Sequence, residues 1–92
     1  MAKSRILYLN YFLKYLNKKY DLNILEIGPG FGINVETLSQ YGIVDIVETE
    51  KHFLKHLKEE KSDNIRNFYD DLYKIPNNKY DFIVLMDVLE HI

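Results

Sequence analysis

The sequence contains no cysteine, and this absence excludes disulfide bonds, thiolate nucleophiles and cysteine-ligated zinc. It also lacks an apolar run of the roughly 20 residues that a membrane-spanning helix needs. Its longest apolar runs, such as residues 82–86, have the length of a strand. No signal peptide is recognisable, and a formal net charge of -2 provides no field that would attract a polyanion. We therefore expect a cytoplasmic protein that has no membrane span and does not bind nucleic acid.

The hydrophobic residues, 47% of the 92, follow two different periodicities along the chain. Helices are predicted at residues 3–19, 33–41 and 51–61, strands at residues 24–27, 43–47, 65–69 and 80–86, and the start of another helix at residue 87. Gly42 is placed as the C-terminal cap of the second helix. Phe53, Leu54 and Leu57 are expected on the inner face of the third helix. The alternation predicts a parallel α/β sheet, in which ligands bind beyond the carboxyl ends of the strands.

The first predicted strand runs into a glycine-rich loop with the sequence Leu25-Glu26-Ile27-Gly28-Pro29-Gly30-Phe31-Gly32. Glycines directly after a strand let the backbone turn sharply and approach a ligand closely. Glu26 lies in a buried strand, where a charge costs free energy unless it meets a cation or hydrogen-bond donors. The dinucleotide fingerprint would need glycine where Ile33 stands, and the phosphate-binding P-loop would need a Gly-Lys-Ser/Thr triplet that is absent.

A second acid, Glu48, follows the second predicted strand, 18 residues beyond Gly30. A carboxylate about 20 residues after such a loop is placed to accept hydrogen bonds from both hydroxyls of a ribose. Glu50 is the competing acid, but it stands two residues farther from the apolar run. The simpler interpretation of Glu48 is a solvated charge at a strand end.

The pattern E-x-G-x-G-x-G resembles motif I of the class I S-adenosylmethionine-dependent methyltransferases. Residues 69–76, Tyr-Asp-Asp-Leu-Tyr-Lys-Ile-Pro, are similar to that family's Gly-Asp…Leu-Pro loop after the third strand, with Asp70 where the family often has glycine. Residues 80–92 look like the fourth-strand segment of the branch that acts on small molecules, lipids and quinones. The resemblance covers about residues 22–92, which corresponds to the N-terminal portion of the family's domain.

The resemblance implies a Rossmann-like parallel sheet with flanking helices, truncated after the fourth strand, in one partial methyltransferase domain. Residues 1–21 would form a capping helix, and residues 22–92 the cofactor-binding core. The implied cofactor is S-adenosylmethionine, the methyl acceptor is an unidentified small molecule, and no metal is expected. The implied cofactor-binding residues are Glu26, Gly28, Pro29, Gly30, Gly32, Glu48, Thr49, Asp71, Leu72 and Met86, with Asp70 as the alternative to Asp71. Glu48 would bind the ribose, Asp71 the adenine amino group and Met86 the methionine end; no catalytic residue is assigned.

Several alternatives stay open at this point. The aromatic, lysine-containing N-terminal helix could lie on a membrane surface, although we favour its packing on its own domain. His91 could act as a general base, whereas His52 and His56 are expected on the surface. The main alternative function is a non-catalytic remnant or interaction module with the same fold; aminopropyl transfer is a minor third. The outer edge of the fourth strand is expected to be unpaired and open to self-association or to completion by another chain.

Overall fold

The computed structural model describes residues 22–77 and 79–85. They form a four-stranded sheet in which all neighbouring strands are parallel and the order is β3-β2-β1-β4. The elements are β1 (Leu22–Ile27), α1 (Val35–Ser39), β2 (Gly42–Val47), α2 (Lys51–Glu60), β3 (Asn67–Tyr69) and β4 (Phe82–Val84), with 3-10 turns at Ser62–Asn64 and Leu72–Lys74. The predicted α/β fold with a parallel sheet and flanking helices is therefore confirmed.

The two central strands carry most of the pairing. β1 and β2 match along six residues each, from Leu22 opposite Gly42 to Ile27 opposite Val47. β3 and β4 each contribute only three pairs, and each adds them to one side of that central ladder. The carboxyl ends of β1 and β2 are consequently held at the same level, which fixes the relative positions of the loops that follow them.

The hydrophobic core lies between one face of the sheet and the two helices. Alternate residues of the strands face the helices, because successive side chains of a strand point to opposite faces. The core consists of Ile24, Val44, Ile46 and Val84 from the sheet, packed with Val35, Leu38, Leu57 and Ile65. As predicted, Leu57 is fully buried and Leu54 packs against this cluster.

Gly42 does not have the role that the sequence suggested. The predicted helix cap is wrong, because α1 ends at Ser39 and Gly42 is the first residue of β2, directly opposite Leu22. Its backbone is also not among those with positive φ, which a left-handed helix cap requires. A Cβ at this position would collide with the carbonyl oxygen of Leu22. Glycine is needed here because two backbones approach each other closely, not because a helix ends.

A cluster of polar side chains joins the strands near their amino ends. Asp45 in β2, which has no exposed surface, accepts hydrogen bonds from Nε and Nη2 of Arg66 at 2.9 Å, and from Oη of Tyr80 at 2.6 Å. The backbone N–H and the Nδ2 group of Asn67 also donate to it, and Arg66 donates to Asn23 of β1. Burial alone would raise the pKa of Asp45, but these donors outweigh it and the pKa is lowered. Burial and the bond to Asp45 raise the pKa of Tyr80.

Several predictions fall outside the residues that the structure describes. They are the N-terminal capping helix of residues 1–21, the helix beginning at Asp87, the cofactor role of Met86 and the role of His91. Within residues 22–77 and 79–85, no helix combines the length and the apolar character needed to cross a bilayer.

Candidate functional site

The residues singled out in the sequence gather at one edge of the sheet, beyond the carboxyl ends of the strands. The loop of residues 28–34 follows β1, Glu48 follows β2, and the loop of residues 70–75 follows β3. The strand order reverses at β1, since β2 and β3 extend the sheet to one side and β4 to the other. A parallel α/β sheet binds its ligands at such a reversal point. The topology alone therefore marks the glycine loop as the place to look for a ligand.

The glycine loop has a backbone that other residues rarely adopt. Gly28, Gly30 and Gly32 have φ values of 67°, 60° and 81°, all in the left-handed region. At Gly32 there is also no space, because a Cβ would lie 2.7 Å from Cδ2 of Leu57 on α2. The Gly32 N–H donates to the carbonyl of Pro29 at 2.9 Å, which closes a tight turn inside the loop. Three alternating glycines thus allow the loop to fold back onto α2.

Glu48 is bound to this loop. Its Oε1 accepts a hydrogen bond from the backbone N–H of Gly30, and its Oε2 accepts one from the backbone N–H of Glu50, both at 2.9 Å. Only 6% of its surface is exposed. Glu48 is therefore not the solvated strand-end charge of the simpler interpretation. The carboxylate is held in one orientation by two backbone donors, next to the middle of the loop.

Glu26, near the end of β1, contacts the last residue of the same loop. It is fully buried on the helix-covered face of β1, in register with Ile46 of β2 and Val84 of β4. Its Oε2 accepts a hydrogen bond of 3.3 Å from Nδ2 of Asn34, which is also fully buried. The two glutamates that end neighbouring strands thus both bind residues of the glycine loop. Asn34 was not singled out in the sequence, although an amide eight residues after the buried acid is the kind of donor that such an acid requires.

The loop after β3 separates the two candidate aspartates. Asp71 accepts a hydrogen bond of 2.9 Å from the backbone N–H of Tyr73 and is partly buried. Asp70 is exposed and forms an ion pair of 2.8 Å with Lys74, whose hydrogen bond lowers the pKa of Asp70. Leu72 is 52% exposed beside them. Asp71 is thus held by the backbone N–H of Tyr73, whereas the main partner of Asp70 is the exposed side chain of Lys74.

Thr49 and Glu50 are both exposed beyond the end of β2. The Glu50 side chain contacts Nδ1 of His52 at 3.1 Å, so that it points along α2 rather than to the glycine loop. Its position differs in this respect from that of Glu48, which the loop backbone holds. The structure thereby separates the two competing acids after the second strand.

An aromatic contact ties the glycine loop to α2. Phe31 is 61% exposed, and its ring packs edge-to-face on Phe53 with centroids 4.7 Å apart and on His56 with centroids 5.2 Å apart. Phe53 was expected to face the core and His56 to be a surface residue, but both form part of this contact. The helical spacing of the two residues, three apart on α2, was the available signal. Over the described part of the chain, no three histidine or acidic residues are grouped so as to hold a metal ion.

Comparisons with known proteins bear on the family and the fold. A family model described as a methyltransferase domain matches residues 2–92. The crystal structure of a candidate sarcosine dimethylglycine methyltransferase from Galdieria sulphuraria superposes with a TM-score of 0.63 at 22% sequence identity. The match covers 87% of this chain but 33% of that protein, so the chain spans about a third of its length. At this identity the similarity establishes the fold. No curated protein matches the sequence significantly.

Proposed function

Since this chain belongs to the methyltransferase-domain family, we propose that it binds S-adenosylmethionine at the glycine loop and serves methyl transfer to a small-molecule acceptor. The observation that carries the proposal is the hydrogen bond between the Gly30 N–H and the Glu48 carboxylate. It joins the two features from which the cofactor was inferred, the glycine loop and the acid after the second strand, at a single position.

The donor and acceptor groups present suit an adenosyl ligand. An ionised carboxylate offers about four lone-pair positions, and the two backbone N–H groups on Glu48 occupy two of them. The two that remain match the two hydroxyls of a ribose. Asp71 keeps acceptor capacity beyond its bond to Tyr73 and would accept from the exocyclic amino group of adenine. Exposed apolar side chains in the loops at this edge, Phe31 and Leu72 among them, would cover an aromatic base.

S-adenosylmethionine supplies an electrophilic methyl group on a sulfonium centre when it is bound. The chain's own residues then have to position and shield rather than react. Glu48 holds the ribose, the loop of residues 28–32 brings backbone close to the ligand, and the acidic side chains at this edge favour a cationic ligand electrostatically. Exclusion of water and alignment of the acceptor account for a large part of the rate in such reactions. No described residue is assigned a proton-transfer step.

The proposal is tested by calorimetric titration of the 92-residue chain with S-adenosylhomocysteine. Glu48→Gln removes the charge but keeps the shape, and we expect it to weaken affinity about 10- to 100-fold, the effect of losing hydrogen bonds to a charged group. Glu50→Gln is the matched control, because it changes the competing acid and leaves the backbone N–H that holds Glu48 in place. We expect it to bind within about twofold of the wild type.

A wild-type chain that does not bind S-adenosylhomocysteine would contradict the proposal and favour the alternative, a module that keeps the fold without the cofactor. Equal losses of affinity in Glu48→Gln and Glu50→Gln would contradict only the assignment of the ribose to Glu48. Turnover is a separate question, addressed by transfer of an isotopically labelled methyl group to a panel of small-molecule amines, hydroxyls and acids. Binding without transfer in that assay would indicate a non-catalytic domain.

Two further expectations remain predictions. Self-association through the outer edge of β4 is checked by analytical ultracentrifugation over a range of concentrations. The cytoplasmic location is checked by fractionation of cells that express the chain.

A further inference from the structure

The N-cap residue of α1 does not form the hydrogen bond that its residue type usually forms at this position. Asn34 occupies the N-cap position of α1, where an asparagine side chain ordinarily accepts a hydrogen bond from a backbone N–H of the first turn. Here the side chain makes no capping hydrogen bond. Its Nδ2 group instead donates to Oε2 of Glu26. The helix forgoes a stabilising cap, so the contact with Glu26 is what explains an asparagine at this position.

The Asn34 amide turns its nitrogen toward the Glu26 carboxyl group. This is the orientation that suits an ionised carboxylate, which only accepts hydrogen bonds. Its Oδ1 then has no hydrogen-bond partner within residues 22–77 and 79–85, although the side chain is fully buried. A buried amide oxygen without a partner costs free energy. Asn34 therefore bears two costs, the missing cap and the unpaired oxygen, in order to hold Glu26.

We propose that Asn34 is a positioning residue for ligand binding, which fixes the buried Glu26 carboxylate and thereby sets the end of the glycine loop. This inference rests on the proposed function, because it concerns the same loop. Residue 26 comes shortly before the loop of residues 28–34 and residue 34 is the last residue of that loop, so a bond between their side chains ties the entry of the loop to its exit. Gly30, which contacts Glu48, lies midway between them. Releasing Asn34 from Glu26 would let the loop shift relative to the acid that is proposed to bind ribose.

Asn34→Asp provides a test, because it should make ligand affinity depend on pH, which a purely structural role of Asn34 does not predict. Asn34→Asp has nearly the same shape, but its ionised form places a second carboxylate beside Glu26, and two such groups share a proton more readily than both ionise. With that proton, Asp at position 34 donates to Glu26 as the amide does. Without it, the two carboxylates repel. The variant is therefore expected to approach wild-type affinity at acidic pH and to lose it at alkaline pH.

The experiment measures S-adenosylhomocysteine affinity of the wild type and of Asn34→Asp from pH 5.5 to pH 8.5. The expected result is a ratio of dissociation constants, variant over wild type, that rises at least tenfold across this range. The titratable and charged groups on neighbouring elements include Glu48 after β2, Glu36 on α1, His56 on α2, which contacts Phe31 of the loop, and Lys61 after α2. They are common to both proteins, so the ratio cancels their titration and that of the ligand. A pH-independent ratio would overturn the role of Asn34.

Two further variants complete the design. Asn64→Asp makes the same substitution at a partly buried asparagine whose Nδ2 donates to Ser39, far from the glycine loop, and its ratio should stay constant with pH. Asn34→Ala removes the donor without adding charge, and we expect about tenfold weaker binding at every pH. It keeps the test decisive if Asn34→Asp does not fold at alkaline pH, because unchanged affinity would overturn the inference. If the wild type does not bind S-adenosylhomocysteine, the proposed function is overturned together with this inference. If the wild type binds and both Asn34 variants bind equally well, only the inference about Asn34 is overturned.

Discussion

The polar cluster around Asp45 gives the sharpest prediction for stability. Asp45→Asn keeps the size of the side chain but replaces one carboxylate oxygen with an amide that donates. Oδ1 of Asp45 accepts from Nε of Arg66 and from the backbone N–H of Asn67, and Oδ2 accepts from Nη2 of Arg66, Nδ2 of Asn67 and Oη of Tyr80. Whichever way the new amide turns, at least two donors lose their acceptor.

Hydrogen bonds to a buried charge contribute about 1.5–3 kcal/mol each. We therefore expect Asp45→Asn to lower the free energy of unfolding by about 3–5 kcal/mol, the sum of two such hydrogen bonds. Single domains are stable by only about 5–15 kcal/mol, so this loss is large. It corresponds to a fall of about 12 °C or more in the melting temperature. Urea denaturation followed by circular dichroism at pH 7 measures it, with Asp63→Asn, an exposed acid, as the charge-matched control.

The contribution of Asp45 to the free energy of unfolding should depend on pH in one direction. The folded-state pKa of Asp45 is lowered below 3.8 because its donors outweigh the burial that would raise it, while the unfolded chain has a value of about 3.9. The contribution of Asp45 is thus fully present above the unfolded value and is lost as the pH falls through the folded value. The difference between the wild type and Asp45→Asn should be constant from pH 7 to about pH 5 and shrink below about pH 4. Equal urea midpoints of the two proteins at pH 7, or a difference that grows on acidification, would refute the reasoning.

Three other substitutions are expected to give distinct results. Gly32→Ala should lower the free energy of unfolding by about 2 kcal/mol, because it adds a left-handed alanine and a collision with Leu57; an unchanged urea midpoint would show that the loop does not rest on α2. Gly42→Ala should lower it by at least as much and speed amide exchange in the β1–β2 ladder, since its Cβ meets the Leu22 carbonyl; slow exchange in that ladder would contradict the close approach. Asp71→Asn should weaken S-adenosylhomocysteine binding about tenfold. Asp70→Asn, which changes an exposed pair with Lys74, should leave that binding unchanged. If calorimetry shows the larger loss of affinity in Asp70→Asn, the adenine contact is assigned to Asp70.

The strands and the glycine loop were predictable because local sequence determines them. Short runs of branched and apolar residues, bounded by turn formers, marked all four strands, and three alternating glycines after the first marked the loop. The same glycine spacing and the position of Glu48 pointed to the edge of the sheet at which the structure brings the loop and Glu48 together. The carboxyl ends of parallel strands meet there in any such fold, so the sequence order already implied that these groups converge.

The polar contacts could not be predicted, because each depends on residues distant along the chain. Asp45 is the one charged residue in the predicted second strand, and its partners stand 21 residues away at Arg66 and 35 residues away at Tyr80. The predicted helix cap at Gly42 was wrong for another reason. A glycine after a helix and before a strand fits either a helix cap or a close backbone contact, and only the register with β1 decides between them. Asn34 was overlooked because it lies inside the helix predicted at residues 33–41, and no local pattern connects its amide with Glu26, eight residues earlier.

The pairing of β1 with β4 has a consequence for how the domain is made. The backbone N–H of Asn23 bonds to Asp81, 58 positions later, and Ile24 lies opposite Phe82. During synthesis, β1, β2 and β3 are complete before β4 has been made. Until then, the edge of β1 that will pair with β4 has unpaired amide and carbonyl groups. A chain that ends at residue 77 should therefore be cut by protease within β1 faster than the 92-residue chain. Equal rates of cleavage would mean that β4 adds little protection to the strand that carries the loop.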